Sequence, residues 1–173
     1  MNAAAIKSIV DRLARHTRAI AAVLDGVDDV EAHYKPTQVD WSIVEIVNHL
    51  VDEETEDFRT RIEMTLRDPT TNWPPIDPKA AVVERNYQQR DLQTSLQNFR
   101  SLREGTVAWL RMQFDADWAS SYEHPVLGRI RAGDLLVSLA AHDLLHVRQI
   151  ARRRYEYLNT ISAPYVTAYA GQR

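Results

Sequence analysis

Two histidines four residues apart, in Ala141-His142-Asp143-Leu144-Leu145-His146-Val147-Arg148-Gln149-Ile150, are the side chains of this sequence best placed to do chemistry. On a helix they stand one turn apart along the axis and about 40° apart around it. Leu135, Leu139 and Ile150 fall on the same side, so both imidazoles point toward the apolar stripe. A buried imidazole needs a partner at each ring nitrogen, and a metal ion would satisfy one nitrogen of each.

Zinc in a catalytic site commonly takes three protein ligands and leaves a position open, while nickel and iron keep more waters. A third imidazole from a facing helix would complete such a set, and His49 is the candidate. An open position would receive water, a thiol or a carbonyl. His49 lies beyond Ile46 and Leu50 at the rim of its own helical stripe, where a histidine is more often hydrogen-bonded or solvated than a ligand. The pair alone leaves two readings open, metal binding and hydrogen bonding within a core. It lacks the glutamate of the zinc-protease pattern His-Glu-x-x-His. A di-iron bundle would need Glu-x-x-His on two helices, and the chain has none.

Four amphipathic segments must position these residues. Ile6, Ile9, Val10, Leu13, Thr17, Ile20 and Leu24 recur at helical steps and predict a helix over about 2–25, closed by Gly26. His16 falls off that stripe and reads as a solvated surface residue. The pattern fades over 27–40. Ser42 and Glu45 have capping-box spacing, with Trp41 and Ile46 as a hydrophobic staple, and start a second helix over about 42–67. Glu54 on this helix points with Val51 and Phe58 and needs a buried partner such as Arg103.

Pro69, Pro74, Pro75 and Pro78 mark an extended connection, long enough to cross from one end of a bundle to the other. A short helical piece fits 79–85. Asp91 is the expected N-cap of a third helix over about 91–113, followed by a loop over 115–131. The fourth helix, over about 132–154, carries His142 and His146. Tyr157, Tyr165 and Tyr169 beyond it read as a packed strap or a dimer contact. Four amphipathic helices without strand alternation predict an all-α fold, a four-helix bundle with a long crossover connection, as a single domain over 1–173.

A formal charge of −3 over 173 residues gives no reason to expect nucleic acid or an anionic membrane as partner. Arg152-Arg153-Arg154 reads as a helix end serving the last carbonyls. The absence of cysteine removes disulfides, cysteinyl metal ligands and a protein thiol nucleophile, and it fits a reducing cytoplasm. No stretch approaches the ~20 apolar residues of a membrane span, and the N-terminus lacks an apolar leader with a cleavage site. The expectation is a soluble, cytoplasmic protein that acts on a small molecule.

Three pieces of the chain, Trp41-Ser42-x-x-Glu45-x-x-x-His49, His124-Pro125-x-x-Gly128-Arg129 and His142-x-x-x-His146-x-x-Gln149-Ile150, together resemble the signature of the DinB-like family. Their order and separation agree from the first helix to Ile150. The resemblance implies a four-helix bundle with an unusual crossover and a divalent metal, zinc or nickel, held by His49, His142 and His146. It implies an enzyme that activates water or a low-molecular-weight thiol for hydrolysis or S-transfer, since the family includes transferases and isomerases using bacillithiol, mycothiol or glutathione. It also implies a homodimer. No motif here selects a particular thiol. Glu53, one turn beyond His49, is the candidate catalytic base, with a solvated salt-bridge partner as the alternative. His124 precedes a proline and reads as structural or exposed, with lining of the site as the lesser alternative. The competing expectation is a non-catalytic bundle, in which a metal pins the second helix to the fourth and the protein has a structural or interaction role.

Overall fold

Side-chain caps start most of the helices. Asn2 accepts from the Ala5 backbone and opens α1 (Ala3–Val23), whose buried face is Ile6, Val10, Leu13 and Ile20. The computed structural model describes residues 2–171. Gly26 follows α1 at a φ of 73°, where any side chain would be strained. Asp28 caps α2 (Asp29–His33), a single turn inside the stretch that periodicity leaves blank. Ser42 and Glu45 make the reciprocal capping box that opens α3 (Ile43–Thr55), with Glu45 Oε2 accepting from Ser42 N at 2.7 Å.

The continuous helix expected over 42–67 is broken. α4 (Phe58–Arg67) resumes only after Asp57, whose φ and ψ of −112° and −100° are not helical. No glycine or proline marks this break. Thr60 Oγ1 donates to the Thr55 carbonyl at 2.8 Å and supports an oxygen at the interruption of the backbone ladder. The kink brings the Phe58 ring against His142, with centroids 5.3 Å apart.

α5 (Pro78–Glu84) sits within the crossover, and α6 (Leu92–Arg111) begins at Asp91, which accepts from Thr94 N. The stretch expected to be only loop contains a hairpin, β1 (Ser121–His124) and β2 (Gly128–Arg131), pairing Tyr122 with Ile130. Gly128 at a φ of 71° allows the short turn over 125–127. His124 Nδ1 accepts from Val126 N and Leu127 N, so this histidine caps the turn. Tyr122 stacks on Trp73 at 4.2 Å and clamps the crossover to the hairpin.

α7 (Ala132–Ile161) continues past the end expected near 154, with Glu156 pairing to both Arg152 and Arg153. The three arginines therefore do not end their own helix. Arg154 instead donates to the Val23 and Asp25 carbonyls at the end of α1, and Arg153 to the Trp41 carbonyl before α3. Tyr157 lies in α7 against Tyr34, but Tyr165 and Tyr169 are exposed, so they form no packed strap.

α1 packs against α6 and α7, α3 against α6, and α4 against α7, which sets α1 diagonal to the α3–α4 arm. Asn48 meets Ser95 and Glu54 meets Arg103, so α3–α4 and α6 run parallel. α7 runs against them and alongside α1, as the contacts of Arg153 with Trp41 and of His16 with Asp143 show. The parallel pair requires the long crossover of the bundle.

Two apolar clusters fill the interior. Ile20, Ile43, Ile46, Leu50, Phe99 and Ile150 occupy one end, and Ile6, Leu13, Ile62, Leu110, Leu136 and Leu139 the other. Burying each such side chain contributes roughly 1.5–3 kcal/mol. Between the clusters lies a polar layer. Buried Arg103 donates through Nε to Glu54 Oε1 at 2.7 Å, and through Nη1 and Nη2 to Asp143 at 2.6 and 2.9 Å. His16 Nδ1 completes the layer 3.2 Å from Asp143 Oδ2, so it is not the solvated residue that its position off the stripe suggested. Among the described residues, no helix is long and apolar enough to cross a membrane.

Candidate metal centre

α3 delivers His49 and α7 delivers His142 and His146 to the same seam of the bundle. One ring nitrogen from each lies within 4.8 Å of the others. Ring centroids are 5.3 Å apart for His49 and His142, 5.0 Å for His49 and His146, and 4.3 Å for His142 and His146. His49 is buried although its stripe position is a rim, because α7 packs over that rim. His146 is buried as well, and His142 is half-buried.

The protonation pattern suits ligands. Gln149 Oε1 lies 2.8 Å from His146 Nδ1, and a carbonyl oxygen only accepts. Nδ1 therefore carries the proton, and His146 Nε2 is a bare lone pair. That lone pair faces His142 Nε2 at 3.1 Å. Two nitrogens each ~2.0–2.1 Å from a shared cation would be roughly 2.9 to 3.4 Å apart. Burial, reinforced by His146 and His142, pushes His49 down to about 3, and burial with His146 beside it pushes His142 down to about 4. Burial lowers His146 too. At neutral pH all three rings are neutral. His142 Nδ1 is buried with no hydrogen-bond partner, so protein groups do not satisfy the cluster by themselves. The three residues fit a divalent cation.

The walls are aromatic on two sides. The Trp41 ring is tilted against His49 at 5.0 Å, and Phe58 against His142. A third side is acidic. Glu53 is buried, with Oε1 3.4 Å from His49 Nδ1, a contact rather than a full hydrogen bond. This excludes the solvated salt-bridge role considered for it. Burial, together with the charge of Asp57 and a hydrogen bond shared with it, raises the Glu53 carboxyl to about 8. Burial also raises Asp57, against the lowering effect of Arg61. The proton of the pair resides on Glu53. His49, Glu53, Asp57, Ile76 and Asp77 border a small cleft of about 30 Å³, one side of which the crossover lines. His124 stands in the hairpin turn, outside the cluster.

Sequence reasoning gave no role to Gln149, Asp57 or the Arg103–Asp143 pair. Gln149 follows His146 by three residues, which is helical contact spacing. Asp143 stands between the two histidines on a different side of α7, and its burial depends on α6, which no local pattern reveals.

A sequence profile of the DinB superfamily matches residues 12–150. The chain belongs to the DinB superfamily. The superfamily chain also resembles YfiT from Bacillus subtilis, described as "a probable metal-dependent hydrolase with an unusual four-helix bundle topology". The TM-score is 0.76 at 18% sequence identity, covering 88% of this chain and 87% of that one. At that identity the likeness shows the shared fold. No curated protein sequence is significantly similar to this chain.

Proposed function

We propose that this DinB-superfamily chain is a single-domain, metal-dependent enzyme, in which His49, His142 and His146 hold a divalent cation, zinc or nickel. Water or a low-molecular-weight thiol is activated there for hydrolysis or S-transfer. The observation that carries this reading is the convergence of three neutral imidazoles within 4.8 Å, drawn from two helices. The description of YfiT, which shares the fold, supports hydrolysis over S-transfer.

A divalent cation in this position supplies Lewis acidity and brings the pKa of water or a thiol toward neutrality. The chain supplies the rest. Gln149 fixes the tautomer and orientation of His146. Trp41 and Phe58 exclude bulk water, which strengthens every charge interaction inside. Glu53 holds and moves the proton. A cation held by His49 would lower the Glu53 carboxyl and make it an acceptor, with Asp57 as the group that shares its hydrogen bond. The Arg103 layer already ties α3, α6 and α7 together without a metal, which disfavours a purely structural role for the cation.

The same proposal places the protein in the cytoplasm as a homodimer, without nucleic acid or membrane as partner. Its support is the lack of cysteine and the exposed Val137, Leu144, Leu145 and Leu158 on the outer side of α7. The test of function is turnover by zinc- or nickel-loaded protein on a panel of esters, amides and thiol–electrophile pairs. Turnover above the metal-free protein, lost in Glu53→Gln, is expected. Equal rates for loaded and metal-free protein across the panel would contradict the proposal.

A further inference from the structure

The face of the bundle remote from the three histidines carries a second feature. α1 and α6 together hold seven basic residues against two acidic ones, in a chain whose net charge is −3. The two helices pack side by side, and a groove of about 550 Å³ runs between them. That volume lies in the range of small-molecule sites, roughly 300–1,000 Å³. Its floor is made of small apolar side chains, Ala14, Ala21, Val107 and Ala108. Its edges carry Arg18, Arg100 and Arg111 against a single acid, Glu104.

The arginines at the edge leave their guanidinium groups available to a ligand. Arg18 and Arg100 are exposed and make no ion pair or hydrogen bond among the described residues, and Arg111 reaches Asp11 only at 3.7 Å. Buried Arg103 lies beneath the groove with its donors committed to Glu54 and Asp143. Free guanidinium forks over an apolar trench match a molecule with an anionic end and an apolar body. Carboxylate, sulfonate and phosphate accept such forks in pairs, and the body covers the alanines and Val107.

We propose that the α1–α6 groove is a second binding site, separate from the histidine cluster, for a small amphipathic organic anion. Arg18 and Arg100 hold its charged group, and the Ala14–Ala21–Val107–Ala108 floor holds its apolar part. The site does not depend on the metal, so it stands or falls independently of the catalytic reading.

The experiment is calorimetric titration of the full chain, metal-free and metal-loaded, with anilinonaphthalene sulfonate and with phenylnaphthylamine, its uncharged relative. Saturable binding of one sulfonate per chain is expected in both forms, at least tenfold tighter than the neutral compound. Arg18→Glu/Arg100→Glu is expected to weaken the sulfonate tenfold or more. Ala108→Trp fills the trench without changing charge and is expected to do the same, while Arg129→Glu on the hairpin leaves binding unchanged. Far-ultraviolet dichroism and melting establish that each variant is folded, and the two groove variants fail independently of one another. Absence of saturable binding, equal affinity for the neutral compound, or wild-type affinity in both groove variants would overturn the proposal. So would binding of anionic vesicles or duplex DNA without binding of the sulfonate.

Discussion

Arg103 grips both carboxylate oxygens of Asp143, at 2.6 and 2.9 Å, one residue along α7 from His142. The same guanidinium holds Glu54, one residue from Glu53 on α3. The buried charge layer and the histidine cluster thus occupy one cross-section of the bundle, between two apolar ends. Removing the guanidinium takes the hydrogen bonds of Arg103 from buried Glu54 and leaves buried Asp143 with His16 alone. Arg103→Met is expected to destabilise the fold by about 3–5 kcal/mol, read as a urea midpoint. A loss below about 1 kcal/mol would mean that the layer is solvated and not the tie described here.

Acid should loosen the metal-free protein. Burial and neighbouring imidazoles lower His49 to about 3 and His142 to about 4, against an ordinary value of 6.5. Between those values the unfolded chain binds protons that the folded chain does not, so stability falls as pH drops. The slope is up to about 1.4 kcal/mol per pH unit for each histidine. Glu53 works in the opposite sense. Its carboxyl is raised from 4.5 to about 8, so its contribution is full below the lower value and is lost as pH rises through the upper one. Melting temperatures of metal-free protein should peak near about pH 6.5 and fall more steeply on the acid side. A melting temperature that stays level from that point down to pH 4 would contradict the neutral state of the two rings.

Gln149 acts on the centre only through His146. Gln149→Ala removes the acceptor that fixes the Nδ1 proton while leaving all three imidazoles in place. Metal affinity is expected to drop roughly 10- to 100-fold by titration calorimetry, with the melting temperature of the metal-free protein little changed. Unchanged affinity would show that the glutamine orients nothing.

Glu53→Gln mimics the protonated carboxyl of the metal-free state. The variant should fold normally and lose the decline in stability that runs from the optimum near about pH 6.5 up to about pH 8, because its amide does not titrate. Proton release on loading the metal, measured in buffers of different ionisation enthalpy, should also fall relative to wild type. Identical alkaline profiles for the two proteins would remove Glu53 as the group that holds the proton.

Local signals carried much of the fold, and tertiary contacts decided the rest. Ser42 with Glu45, Asp91 and Gly26 act through their immediate neighbours, so their spacing alone marks the helix ends. The Glu54–Arg103 partnership was legible because a charge facing an apolar stripe demands a counter-charge. His49 and His16 were harder. Each stands off the stripe of its own helix, and burial comes from α7, which packs over the rim of α3 and along the side of α1. The break at Asp57 had no glycine or proline to announce it, and the hairpin strands are only four residues each, too short for alternation to emerge. Pro125 and Gly128 hinted at the turn between them. For the centre, the residue types at 49, 142 and 146 were readable and Gln149 was marked only by its helical spacing from His146, while Asp57 and Asp143 depend on orientations that a linear pattern does not contain.

The most direct measurement is metal content. Untagged protein, incubated with zinc or nickel and freed of excess ion, should hold about one ion per chain by elemental analysis. His49→Ala, His142→Ala and His146→Ala should each bind at least 100-fold more weakly while remaining folded. An ion-free wild type, or a His49→Ala variant that keeps the wild-type ion and affinity, would contradict a centre shared between α3 and α7.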